Sequence, residues 1–295
     1  MTNRESLRLT AAYWAYRTVE EAAKALPERT GRRVFGALGR LAHDALPGVR
    51  ATVAANQARV LGLDPATPLV RAATREAFRS YARYWCDTFA IRSLPQAEID
   101  RRTRMEGTEH IDAALEAGHG CLCVMPHMGN WDLAGHWIAL HGYRIAAVAE
   151  VLEPERLTEL FVRHREELGM RVVPLREGAH VGQQLAGLLA DNWVVALVAD
   201  RNLGGRGVEV EMFGAARTIP AGPALLSVTT GAPILVCSSY TTHDGWIVRI
   251  LPPLEFERTG STRSDVVALT RRMAAEFERG IAAHPPDWHM FQPAW

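Results

Sequence analysis

Lysine is almost missing from this chain: Lys24 stands alone beside 32 arginines. That bias reads as the mark of a GC-rich genome, not as a physical property. Cysteine is scarce too. Cys86, Cys121, Cys123 and Cys237 form no C-x-x-C pair and no dense framework, which argues against disulfide staples and a structural zinc. No window of eighteen apolar residues occurs, so no segment is expected to span a bilayer, and membrane contact would be peripheral. Between Met1 and Ala25 the apolar core of a signal peptide is lacking, because Arg17, Glu20, Glu21 and Lys24 interrupt it. Net charge is absent as well. The 33 basic and 33 acidic side chains cancel, which removes any global attraction to nucleic acid.

What is present suffices for a sizeable fold. With 295 residues, 48% of them hydrophobic and 22% charged, the chain can bury the core of one large α/β domain. Charge is unevenly spread: residues 1–60 hold ten basic side chains against five acidic ones. Two readings of that stay open, a face for an anionic membrane surface and an ordinary solvated helical face.

Residues 1–100 have helical periodicity. Leu7, Ala11, Trp14, Thr18, Ala22 and Leu26 recur at three and four residues, one stripe of a helix that Pro27 ends. Further helices are expected over Glu28–His43, from Pro47 and Gly48 to Gly62, and from Thr67 and Pro68 onward, the last with Leu69, Ala73, Ala77, Tyr81, Trp85 and Phe89 inward. No Gly/Ser/Pro linker follows, so this is a helical cap and not a separate domain. After Arg101 short apolar runs alternate with helical stretches. Strands are expected at Thr103–Glu106, Cys121–Met125, Ile145–Ala149, Val172–Pro174, Val194–Ala199, Ile234–Ser239 and Trp246–Leu251. Helices fit at Glu109–Ala117, Trp131–His141, Pro154–Leu168, Val181–Asp191, Ala221–Thr230 and Ser264–Ala283. The fold class is therefore α/β: one domain, a mixed, mostly parallel sheet flanked by helices, over 101–295.

In such sheets chemistry gathers beyond the carboxyl ends of strands. Cys121–Met125 carries no charge, and the segment leaving it runs Pro126, His127, Met128, Gly129, Asn130, Trp131, Asp132. His127 is the only histidine followed five residues later by Asp. On a continuous helix that spacing is about 140°, two different faces. If Gly129 turns and a helix starts at Asn130, Asp132 can point back at the imidazole from a first turn whose dipole suits a carboxylate. A neutral imidazole steered by a carboxylate can take the proton of a poorly nucleophilic hydroxyl as it attacks an activated thioester. No G-x-S-x-G elbow is present, so direct attack without an acyl-enzyme is expected. Backbone N–H groups at the start of the Asn130 helix are candidates for the oxyanion.

Other readings stand beside this one. Asp132 and His136 at i, i+4, with His127, are a candidate ligand set for a metal-dependent hydrolase, although no H-E-x-x-H occurs. A non-catalytic lipid-binding role is a second rival. The loop from Asp200 to Gly207, with Arg201, Arg206 and three glycines, suits phosphates of a CoA moiety or is a plain surface loop. An acyl donor needs an apolar channel, for which Leu133–Leu140 and Ala224–Val228 are candidates. Trp288 and Trp295 are equally readable as interfacial anchors or as core.

The segment His127–Asp132, HMGNWD, resembles the HX4D motif of the lysophospholipid acyltransferase superfamily, in the branch of the late lipid A acyltransferases. Ser80–Trp85 (SYARYW), Pro220–Ala224 with Thr230–Ala232, and Asp287–Met290 (DWHM) with Gln292 and Pro293 resemble the phosphatidylinositol mannoside acyltransferases of actinobacteria. The likeness covers nearly the whole chain. It implies a long apolar groove, His127 as general base with Asp132 as its carboxylate, and Asp200 as a second acidic residue beside the histidine. Asp200 departs from the Glu common in mycobacterial members, and Thr229 from an acidic residue before Thr-Gly-Ala. The resemblance further implies that Glu150 and Arg165 hold substrates. It implies acyl-CoA, such as palmitoyl-CoA, as co-substrate with no cofactor or metal, a glycolipid acceptor (or another lipid), and a place on the cytoplasmic face of the cell membrane.

Overall fold

The expected strands pair because their backbone groups, once buried, need partners that only neighbouring strands supply. In the computed structural model, which describes residues 7–176, 180–202, 204 and 207–295, seven of them form one sheet. These are β1 (Thr103–Glu106), β2 (Cys121–Met125), β3 (Ile145–Ala149), β4 (Arg171–Pro174), β5 (Val194–Val198), β8 (Ile234–Thr241) and β9 (Trp246–Pro253). Their order is β1-β9-β8-β2-β5-β3-β4. All neighbours are parallel except β8 and β9. The registers confirm a mixed, mostly parallel α/β fold with a single sheet at its centre. One of them decides the chemistry: Met125 on β2 lies opposite Val198 on β5, so the residues two positions further on, His127 and Asp200, leave the sheet at the same rim.

Period-two alternation divides the strands between two cores. Leu122 and Val124 face a cluster completed by α9 (Val181–Ala190), α10 (Gly222–Thr230) and α11 (Thr262–Ala283). Cys121 and Met125 face one completed by α6 (Thr108–Glu116) and α7 (Trp131–Leu140). The first four helices, α1 (Leu7–Ala25), α2 (Glu28–Ala45), α3 (Pro47–Leu61) and α4 (Pro68–Ala90), form the cap. Buried amides hold the cap to the chain's end: Asn56 Nδ2 donates to the carbonyls of Met290 and Gln292, each at 2.9 Å, and Gln57 Nε2 to Pro285 at 2.8 Å.

Three details differ from the sequence reading. Leu69 does not face inward; it is 57% exposed, because the buried stripe of α4 runs through Val70, Thr74, Ala77 and Phe78, one residue further round. The antiparallel hairpin of β6 (Val208–Met212) and β7 (Ala215–Ile219), and the short α5 (Gln96–Arg102), are additional elements. On α1 the side chains of Arg17 and Lys24 are not free: Arg17 pairs with Glu20 and Glu21, and Lys24 with Glu20, while Leu7 and Trp14 stand exposed. The side chain of Arg8 lies outside the described set. Among the described residues no helix is long and apolar enough to cross a membrane.

Candidate active site

His127 leaves the end of β2, and its Nδ1 lies 2.5 Å from Asp200 Oδ1, at the end of β5. The imidazole is partly open while the carboxylate is fully buried. Burial works to raise the pKa of Asp200. The charge and hydrogen bond of His127, the indole N–H of Trp288 at 2.8 Å from Oδ2, and the charge of Arg201 outweigh it and hold the carboxyl well below the usual range. An ionised Asp200 accepts from Nδ1–H, which leaves the Nε2 lone pair as the free basic site of the ring.

Asp132 is not the carboxylate of His127, contrary to the expectation from spacing. It begins the first turn of α7, buried, and binds Arg165 Nε through Oδ1 at 2.6 Å and Tyr84 Oη–H through Oδ2 at 2.7 Å. Burial opposes its charge, but Arg165 and the nearby His164 hold it below its ordinary range. The physical reason is direction. The helix N-terminus carries Asp132 toward α4 and α8 (Glu155–Glu167), whereas Asp200 arrives along a parallel neighbour. Arg165, expected to hold substrate, is committed to Asp132, although it also lines the cleft described below.

Asn130 is the N-cap of the same helix. Its side chain caps α7, accepting from Leu133 N–H at 2.9 Å, and its own N–H donates to Ser239 Oγ at 3.0 Å. The residue is buried and its own N–H is taken, while its side-chain Nδ2 is buried without a partner. The candidate metal set does not converge either. His127 binds Asp200, Asp132 binds Arg165, and His136 Nδ1 meets the carbonyl of Leu168 at 2.9 Å. Among the described residues no group of three or more His, Cys, Asp or Glu is arranged to hold a metal ion.

His127 opens on a cleft of about 910 Å³, whose walls include Tyr16, Trp85, Glu150, Arg165 and Arg201. Glu150 stands at its exposed side. Arg201 donates Nη2 to the carbonyl of His289 at 3.0 Å, and its buried Nε has no partner. Arg206 lies outside the described residues. A narrow apolar slot of about 60 Å³ runs beneath the sheet between β2, β3, β5 and α7. Trp131, Val148, Arg165, Leu197 and Val198 line both spaces, so the slot lies directly against the cleft there. The Trp131 ring lies edge-on to His127, centroids 5.4 Å apart. Of the expected channel residues, Ala134, Gly135 and Ile138 line the slot, and Leu225 and Leu226 the cleft. Tyr84, Ser239, Trp288 and Arg217, which donates to the main-chain carbonyl of Asp200 at 2.7 Å, were not singled out from the sequence as site residues. Tyr84 and Trp288 do fall inside the motif blocks SYARYW and DWHM.

A histidine–carboxylate pair at the rim of a parallel sheet, open to a cleft beside an apolar slot, has the parts that acyl transfer requires. The bacterial lipid A biosynthesis acyltransferase family matches residues 1–295, and the chain belongs to it: it is an acyltransferase of that family. It is 39% identical over 298 residues to a phosphatidylinositol mannoside acyltransferase of Mycobacterium tuberculosis, covering 99% of this chain and 91% of that protein. It is 38% identical over 276 residues to the one named so from Mycolicibacterium smegmatis, covering 92% and 87%.

Proposed function

We propose that this enzyme moves a long-chain fatty acyl group from acyl-CoA to a hydroxyl of a membrane glycolipid, a mannose of phosphatidylinositol mannoside, with His127 as general base. The observation that carries the reading is the 2.5 Å contact between His127 Nδ1 and the buried Asp200, on a ring that lines the cleft. The acceptor hydroxyl attacks the thioester carbonyl as Nε2 takes its proton, and Asp200 stabilises the imidazolium that forms. The tetrahedral intermediate collapses with cleavage of the C–S bond, and the thiolate leaving group takes the proton back from Nε2. A positioned base of this kind contributes about 100- to 10,000-fold in rate. No cofactor takes part.

The slot supports an acyl site by its chemistry. Burying most of a C16 chain is worth roughly 10 kcal/mol at about 0.8 kcal/mol per methylene. As it stands the slot, at about 60 Å³, is too small for such a chain. Three of its walls are Met105, Met125 and Met170, flexible side chains that can move aside for a chain. Glu150 and Arg201 are charged groups of the cleft for acceptor and donor. Exposed Leu175 and Leu225 at the cleft suit a peripheral position on the cytoplasmic face of the membrane.

The deciding experiment is mass spectrometry after incubation with palmitoyl-CoA and either purified phosphatidylinositol mannoside or a lysophospholipid. Acylated mannoside and free CoA are expected with the wild type, and neither with His127→Ala. Acylation of the lysophospholipid alone would move the acceptor elsewhere. An active His127→Ala would remove the base.

A further inference from the structure

The block Asp287–Met290 has no part in the chemistry above, yet it touches both members of the acid–base pair. The side chain of Trp288 is 1% exposed, and its Nε1–H donates to Asp200 Oδ2 at 2.8 Å. Its backbone forms a bridge with Met128. On either side, Asp287 O accepts from Gly129 N–H at 2.9 Å, and His289 N–H donates to His127 O at 2.7 Å. One short segment thus grips the carboxylate by a side chain and the histidine loop by main chain.

The segment is itself anchored. Ser80 Oγ–H donates to Asp287 Oδ1 at 2.6 Å, and Thr241 N–H to Oδ2 at 2.8 Å. The guanidinium of Arg217 lies over the Trp288 ring, 5.7 Å from its centroid, while it holds the carbonyl of Asp200. The ring of Trp295 packs edge-on, 6.0 Å away. The indole therefore has little freedom to turn.

We propose that Trp288 is a positioning residue for the transfer reaction: its indole N–H fixes Asp200 so that Oδ1, and only Oδ1, faces His127. This rests on His127 being the base. The argument is one of donors and acceptors. An indole nitrogen donates and never accepts, so Oδ2 must be an unprotonated acceptor, and the carboxylate cannot rotate without losing that bond. Buried carboxylates need donors on both oxygens, and here the second donor is supplied by a rigid ring. His127 is thereby held as the tautomer with Nδ1 protonated and Nε2 free.

The test is kinetic. Trp288→Phe keeps most of the packing and removes the donor. We expect kcat to fall about 10- to 100-fold, the usual consequence of losing one hydrogen bond to a charged group, with KM for palmitoyl-CoA within about twofold. A carboxylate stripped of a donor binds the imidazolium proton more strongly, so the acid limb of kcat/KM moves to higher pH. Trp295→Phe, which removes a neighbouring indole not bonded to Asp200, should leave that limb in place. In an Asp200→Asn background, Trp288→Phe should cost no further rate. An unmoved limb and an unchanged kcat in Trp288→Phe, with His127→Ala inactive, would overturn the proposal while sparing the base. An active His127→Ala would instead overturn the base reading itself. A readout independent of the Trp288 variant is the indole N–H spectrum of 15N-tryptophan protein. Among the eight tryptophans, one strongly downfield signal should move upfield in Asp200→Asn, and superposable spectra would sink the idea.

Discussion

Asp132 and Asp200 are both buried, and both are held below the ordinary carboxylate range, but different cations hold them. Asp200 faces a histidine that opens on the cleft, so Asp200→Asn should lower kcat roughly 1,000-fold or more, as when a triad carboxylate is neutralised. Asp132 faces Arg165, so Asp132→Ala should leave a buried guanidinium unpaired and cost about 3–5 kcal/mol of stability, read by urea unfolding. An Asp132→Ala protein as stable as wild type would contradict the structural role. The pH dependence has a definite sign. A carboxyl depressed in the fold contributes its full stability above its unfolded value of about 4, and loses it as pH falls toward the folded value. Acid unfolding should therefore set in below about pH 4, and Asp200→Asn should show less of that loss.

At the scale of elements, the turn from β2 into α7 depends on Gly129. Its φ is +59°, and a Cβ there would stand 2.2 Å from the carbonyl oxygen of Ser239. Gly129→Ala should cost at least about 2 kcal/mol, checked by thermal or denaturant unfolding. Gly118→Ala, also at positive φ but in open space, should cost about 1 kcal/mol. The contrast separates the backbone penalty from the collision. The hairpin missed in the sequence was legible in principle. V-E-V-E-M alternates with period two, and Phe213 and Gly214 both take positive φ at the turn, the pattern of a two-residue hairpin. The rotation of α4 was not legible, because Ala and Thr at its interface carry little hydropathy.

For the whole molecule, the cap and the C-terminal segment close around the rim of the sheet where His127 and Asp200 emerge. Leu175 and Leu225 stand 46% and 47% exposed beside the cleft, whereas Arg17 and Lys24 are taken up by ion pairs. Apolar insertion at the rim, more than the charge of α1, is the expected contact with lipid. Leu175→Glu with Leu225→Glu should weaken sedimentation with anionic vesicles several-fold, since a charge replaces the exposed apolar area that would enter lipid. Unchanged sedimentation would put the membrane contact on another face.

The sequence alone determined the strands and helices that build the site, because absence of charge and hydrophobic period are local properties. It also determined that His127 follows a buried strand. Which carboxylate serves that histidine was decided only by the tertiary structure. Asp200 is distant in the chain and adjacent in space because β2 and β5 run parallel in one register. Asp132 is near in the chain but is turned away by the first turn of its own helix. Sequence spacing records distance along the backbone, and hydrogen bonds form across the sheet.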